Sequence, residues 1–310
     1  MIALATLMAA VILVLVANGI YSMYEGYKYT KPGEIVDTAN GMMHVYADMK
    51  EDSEVTYVFL SAAGGNSAYY DFKALWAPLS ADNSVVTIDY LGYGMSENTK
   101  AERSVTNIVD EINTALSEMD IPAPYSFVMH SLGGYYGTGF AQAYPEKVAD
   151  LIFIDTTTPD VLLDSDEVLL AMLDQKRMTD FKRFTGFNRL DHPVPIPGLT
   201  KQEQKAATFY NRKMALSSTV INELNHTIKN AEYLKGVAIP DSIPTLRLVS
   251  KPFDDAILSM GYPKTWREYH EMYMNNHPQS QMIMLDAGHY MHWELPEDVV
   301  ETIQAFHVNQ

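Results

Sequence analysis

From Val85 the chain alternates short, β-rich and mostly apolar runs with stretches of helical periodicity: Val85 to Ile88, a helix near Ser104 to Met119, Tyr125 to Met129, a helix from Leu132 to about Tyr144, then Leu151 to Ile154. A short, mostly apolar run without polar alternation belongs to a strand buried on both faces. Such strands separated by helices predict an α/β fold, a mostly parallel sheet covered by helices on both faces. Upstream, Met42 to Tyr46 and Val55 to Leu60 flank the acidic stretch Glu51 to Glu54 and read as a hairpin. After Ile154 the alternation stops. About 90 residues, Asp155 to Pro244, carry helical periodicity and a proline-rich joint, His192 to Gly198, without a strong strand. Strand-like runs return at Thr245 to Val249 and Met282 to Leu285, followed by a helix from Pro296 to about Phe306. An insert of this size predicts a helical cap at about 157–240, within one domain spanning 25–310.

The first 24 residues hold no charged side chain, and Ile2 to Ile20 is a nearly unbroken apolar run. At 1.5 Å per helical residue, about 19 residues suffice to cross roughly 30 Å of hydrocarbon. Tyr21, Tyr24, Tyr27 and Tyr29 follow as an interfacial aromatic belt does. A cleaved signal peptide fits less well, because no Lys or Arg precedes the run and no convincing small-x-small site follows it. Residues 1–24 are therefore read as a single-pass membrane anchor. Lys28 and Lys31 favour a cytoplasmic domain, while N-terminal anchors often precede exported enzymes; an extracytoplasmic domain is the expectation adopted. Lys and Arg total 22 against 39 Asp and Glu, a net charge of -17 that repels phosphate backbones, so nucleic acid is excluded as a partner. Zero cysteines exclude disulfides, thiolate zinc sites and a cysteine nucleophile.

The chemistry concentrates after Tyr125. Strand Tyr125 to Met129 runs into His130-Ser131-Leu132-Gly133-Gly134, a sharp turn and a helix that opens on small residues. A nucleophile elbow needs that context, because the serine sits at the tip of a strained turn and glycines let strand and helix approach closely. Ser131 is the candidate nucleophile, although Met129 stands where the first glycine of G-x-S-x-G belongs, and a serine that merely caps the helix is the competing reading. Three further segments follow in order: Asp89-Tyr-Leu-Gly92-Tyr-Gly94-Met-Ser96 after a strand, aspartates in the loop beyond Thr245 to Val249, and Gly288-His289 after the last strand.

With these motifs the chain resembles the α/β-hydrolase superfamily from about Val55 to Phe306. The resemblance implies a serine nucleophile, a late histidine base, a carboxylate and no cofactor. His289 is the expected base, since an imidazole exchanges protons near neutral pH. His130 and His292 are expected to be supporting residues. In families of this kind the carboxylate usually follows the strand after the cap, which points to Asp254 with Asp255 as alternative; Asp155, after an earlier strand, is the less favoured third choice, and Asp286 lies too near His289. Two main-chain N–H groups form the oxyanion hole: Leu132 supplies one, and Ala63, in Ser61-Ala62-Ala63-Gly64-Gly65-Asn66, is assigned the other, with Ser61-Ala62 standing where many relatives carry His-Gly. No H-E-x-x-H pattern accompanies His289 and His292, so no metal ligand is assigned. With 18 Met and 20 Tyr an adaptable apolar pocket is expected. The function expected is a carboxylesterase acting on a fairly apolar small molecule through an acyl-enzyme. The alternatives are a proline-iminopeptidase-like peptidase or an acyltransferase on the same fold, and a catalytically silent binding protein.

Overall fold

The structure is a computed structural model that describes residues 2–29, 31–164, 181–182, 185–190, 195–214 and 217–308. Part of the proline-rich joint, His192 to Val194, lies outside the described residues. Eight strands make one sheet: β1 (Glu34–Thr38), β2 (Gly41–Asp48), β3 (Thr56–Leu60), β4 (Ser84–Asp89), β5 (Tyr125–His130), β6 (Val148–Ile154), β7 (Thr245–Ser250) and β8 (Gln281–Leu285). Their order is β1-β2-β4-β3-β5-β6-β7-β8, antiparallel for β1/β2 and β2/β4 and parallel elsewhere. Strands β3, β4 and β5 are buried at every residue, as strands covered on both faces are. The predicted hairpin is corrected: Met42 to Tyr46 pairs with Glu34–Thr38 and with β4, not with Val55 to Leu60. The tight connection is the one at Thr38 to Gly41, while β3 goes to the middle of the sheet, where its apolar faces are both covered.

Around the sheet lie α1 (Ile2–Lys28), α2 (Ala68–Asp71), α3 (Lys73–Leu79), α4 (Val105–Glu118), α5 (Gly133–Ala143), α6 (Pro159–Leu163), α7 (Lys201–Met214), α8 (Ser218–Leu234), α9 (Lys251–Ile257), α10 (Trp266–Glu271), α11 (Met291–Glu294) and α12 (Pro296–Val308). Helix α4 shows how the sequence sets them. Ser104 caps it through the Asn107 N–H, and Val105, Ile108, Val109, Ile112, Ala115 and Leu116 recur at helical spacing on its buried face. Helices α6, α7 and α8 lie in the insert between β6 and β7, where the strand pattern lapses.

Helix α1 is long and apolar enough to cross a membrane, and almost none of its span is buried against the protein. It does not stop at Tyr24 but continues to Lys28. Its 27 residues reach about 40 Å, roughly 10 Å more than the hydrocarbon core. The C-terminal part instead docks on the insert. Arg189 donates from Nε to Asn18 at 2.7 Å, from Nη1 to Glu25 at 2.6 Å and from Nη2 to Ser22 at 2.8 Å. Its guanidinium lies over the ring of Tyr21, Arg212 pairs with Glu25 at 3.5 Å, and Tyr29 packs on Phe209 of α7.

Candidate active site

Sheet register brings the candidate residues to one level. Leu60 pairs with Met129 and His130 with Ile154, so Ser61, Ser131 and Asp155 each start a loop at the carboxyl edge of neighbouring strands. The chain changes direction here, moving from β3 to β4 on one side and then to β5 on the other, and such reversals open a crevice beyond the strand ends. Both Ser131 (φ 52°) and Asp155 (φ 42°) occupy the left-handed region that side chains normally avoid.

The elbow is built by close packing. A Cβ on Gly133 would sit 2.6 Å from the Leu60 carbonyl oxygen, so only glycine lets α5 start so near β3. Met129, the departure from the glycine pattern, is accommodated from the far side: a Cβ on Gly137 would fall 1.9 Å from its Sδ. The missing glycine has thus moved one helical turn into α5. Ser131 Oγ lies 3.5 Å from Thr157 Oγ1, and the Thr157 N–H donates to the Ser131 carbonyl at 3.2 Å.

His289 is held by a different carboxylate from the one expected. Its Nδ1 lies 2.7 Å from Asp155 Oδ2. The other oxygen of this fully buried carboxylate accepts from the Ser250 N–H at 2.9 Å and from Trp266 Nε1 at 2.7 Å. Asp254 and Asp255 do not reach the histidine. Strand β7 passes directly into α9, so no loop carries these residues back over the sheet edge; Asp254 accepts from the Arg267 N–H at 2.7 Å, and Asp255 pairs with Lys251 at 2.6 Å in solvent. The sequence signal for Asp155 is the step from strand to sharp turn that also marks Ser131, one strand over. Trp266 and Ser250 carry no comparable signal in the sequence.

The loop assigned to the second oxyanion donor is pinned from the Asp89 turn. Tyr90 donates to the Ser61 carbonyl at 3.2 Å, the Gly64 N–H donates to the Tyr93 hydroxyl at 2.7 Å, and the Gly65 N–H closes on the Ala62 carbonyl at 3.0 Å. Among the described residues no protein acceptor takes the N–H of Ala63 or of Leu132. Asp89 itself is structural: it accepts from the Ala68 and Met95 N–H groups and faces His44 Nδ1 at 3.1 Å, while His44 Nε2 meets the Pro32 carbonyl. Burial works to raise its carboxyl, but the hydrogen bond and charge of His44, with the Met95 N–H, outweigh it and hold Asp89 below the usual carboxylate range.

Of the two histidines expected to support His289, His130 bonds its main chain, while His292 packs 4.4 Å from the His130 ring. His130 Nε2 donates to the His289 carbonyl at 2.9 Å, and the His130 and His289 rings lie 4.6 Å apart. Burial, and then the neighbouring His292 and His289, push His130 well below the ordinary imidazole range, so it is neutral.

Comparison with known proteins bears on the family and the fold. A family model described as "Alpha/beta hydrolase family" matches residues 57–302. Uncharacterized protein YbdG of Bacillus subtilis is 26% identical over 256 residues, 78% of this chain and 77% of that one. Cis-3-alkyl-4-alkyloxetan-2-one decarboxylase of Shewanella oneidensis is 22% identical over 260 residues, 78% of this chain and 79% of that one. Among solved structures, a thermophilic esterase from Thermogutta terrifontis superposes with a TM-score of 0.61 at 20% identity, over 89% of this chain and 99% of that chain.

Proposed function

The chain belongs to the alpha/beta hydrolase family, and from that premise we propose that it is a membrane-anchored serine hydrolase cleaving a carboxylic ester of a fairly apolar small molecule. One observation carries the reading: the Asp155–His289 bond at 2.7 Å, built on the strand edge beside the strained Ser131. Asp155 takes the place in the triad expected of Asp254. By accepting from Nδ1 it fixes the imidazole tautomer and leaves Nε2 as the basic nitrogen. Ser131 Oγ then adds to the carbonyl carbon while its proton passes to His289 Nε2. The N–H groups of Leu132 and Ala63 take the developing oxyanion. Collapse expels the alcohol with the proton from His289, leaving an acyl-enzyme that water cleaves by the same steps.

One feature supports a substrate met at a membrane. Helix α1 offers Leu13, Met23 and other large apolar side chains to its surroundings. Its first 24 residues are read as the anchor, the remainder as one domain with its cap, on the extracytoplasmic side.

A fluorophosphonate probe tests the chemistry: wild type is labelled at Ser131 and hydrolyses short acyl esters, and Ser131→Ala loses both. Esterase activity surviving in Ser131→Ala would sink the proposal. Preference for aminoacyl amides over acyl esters in the same assay would make it a peptidase.

A further inference from the structure

Behind His289 three side chains from separate segments meet: Asp71 at the end of α2, His130 at the end of β5 and His292 in α11. Asp71 is 2% exposed and both histidines 0%. One donor atom from each lies within 4.8 Å of the other two. Asp71 Oδ1, His130 Nδ1 and both ring nitrogens of His292 have no hydrogen-bond partner, although all are buried. His292 Nε2 lies 3.5 Å from Asp71 Oδ1. Buried polar atoms normally find partners, and here three neighbouring residues each carry at least one that has none.

The chemistry of the donors identifies what fits. A carbonyl only accepts, so the bond from His130 Nε2 to the His289 carbonyl places the ring hydrogen on Nε2 and leaves the buried, unpartnered Nδ1 with its lone pair. A metal-bound imidazole typically has this arrangement, one nitrogen on the ion and the other N–H on a main-chain oxygen. Two imidazoles and one carboxylate suit a borderline first-row divalent ion better than calcium or magnesium, which take oxygen ligands. The surroundings are apolar and aromatic: Phe72 lies 5.1 Å from His292, and Tyr290 lies 5.0 Å from His130.

We propose that Asp71, His130 and His292 bind one zinc-type divalent ion. The ion does not touch the reacting atoms; through His130 it steadies the main chain of His289. The site stands independently of the hydrolase reading, and only this steadying role rests on it.

The test uses the full chain in detergent, stripped with a chelator and titrated with Zn²⁺ or Co²⁺. About one equivalent is expected to bind, with visible d–d bands from Co²⁺ and a rise in Tm on adding Zn²⁺. His292→Gln and Asp71→Asn lower the bound metal at least tenfold, whereas His226→Gln, at a surface ion pair with Glu102, does not. Stripped wild type that binds no stoichiometric metal and shows no Co²⁺ bands overturns the proposal, as does undiminished binding in His292→Gln. The wild-type measurement needs no mutant to fold, so it decides the matter even where a variant collapses. Fluorophosphonate labelling of the same samples separates the two readings: metal without Ser131 labelling refutes the hydrolase alone, and labelling without metal refutes the site alone.

Discussion

Two buried carboxylate–histidine groups lie on either side of the His289 loop, and they differ in how completely they are satisfied. Asp155 receives His289, the Ser250 N–H and Trp266 Nε1, all within 2.9 Å. Asp71 has His292 at 3.5 Å and an oxygen without a hydrogen bond. A carboxylate with all its donors in place is a rigid acceptor that can aim an imidazole. One with an unpartnered oxygen in the core is suited to hold a cation. The difference separates an orienting group from a binding group even though the residue types are the same.

The sharpest way to break this comparison is at Asp155. Asp155→Asn keeps the shape but supplies a donor where the imidazole needs an acceptor, and kcat is expected to fall about 10⁴-fold. Steady-state ester hydrolysis measures it, and wild-type turnover in that variant would return the acid to the α9 aspartates. A third buried pair, His44–Asp89, sets the structural baseline. Asp89→Asn is expected to cost about 1–3 kcal/mol at pH 7 by urea unfolding, because it weakens a carboxylate that accepts from two N–H groups and His44. The folded Asp89 carboxyl lies below its unfolded value, so its contribution is complete above about pH 4 and fades as the pH falls through the lower folded value. A mutant deficit that grew on acidification would contradict that sign. Trp266→Phe removes one of the three donors to Asp155 and should lower kcat about tenfold with KM little changed, since a charge-assisted bond is worth roughly 1.5–3 kcal/mol and only part of it bears on the imidazole. Equal losses in kcat and in folding stability would mark the tryptophan as packing alone. Smallest of all, Asp254→Asn and Asp255→Asn should leave kcat/KM within about twofold, since Asp254 bonds a main-chain N–H, Asp255 pairs with an exposed lysine and such exposed pairs contribute little.

What the chain discloses before folding follows the range of the interactions involved. Period and apolarity are local, so the parallel strands, α4, α5 and the elbow at Ser131 can be read directly. Pairing partners are not local. The run at Met42 to Tyr46 is visibly a strand, yet its neighbours β1 and β4 are settled by which apolar faces need cover. The triad acid shows the same limit. Asp155, Asp254 and Asp255 all follow strands that precede His289, and only the immediate entry of β7 into α9, with a tryptophan reaching back from α10, decides among them. Metal-type spacing is absent from the sequence around His292 because Asp71 and His130 arrive from remote segments. Met129 reads as a flaw in the motif; its compensation, Gly137, lies eight residues on and has meaning only once strand and helix are packed.

The mooring of α1 on the insert bears on how this protein should be handled. Arg189 draws on Asn18, Ser22 and Glu25 together, with Tyr21 beneath it. Trimming the chain after Tyr24 to obtain a soluble form deletes three of those four contacts and leaves Glu25 at a frayed terminus. The shortened protein would keep its sheet but lose the clamp between anchor and cap. Purification in detergent with the helix intact is therefore the preparation on which kinetics should be measured, because the truncated form would report an enzyme with its cap set loose.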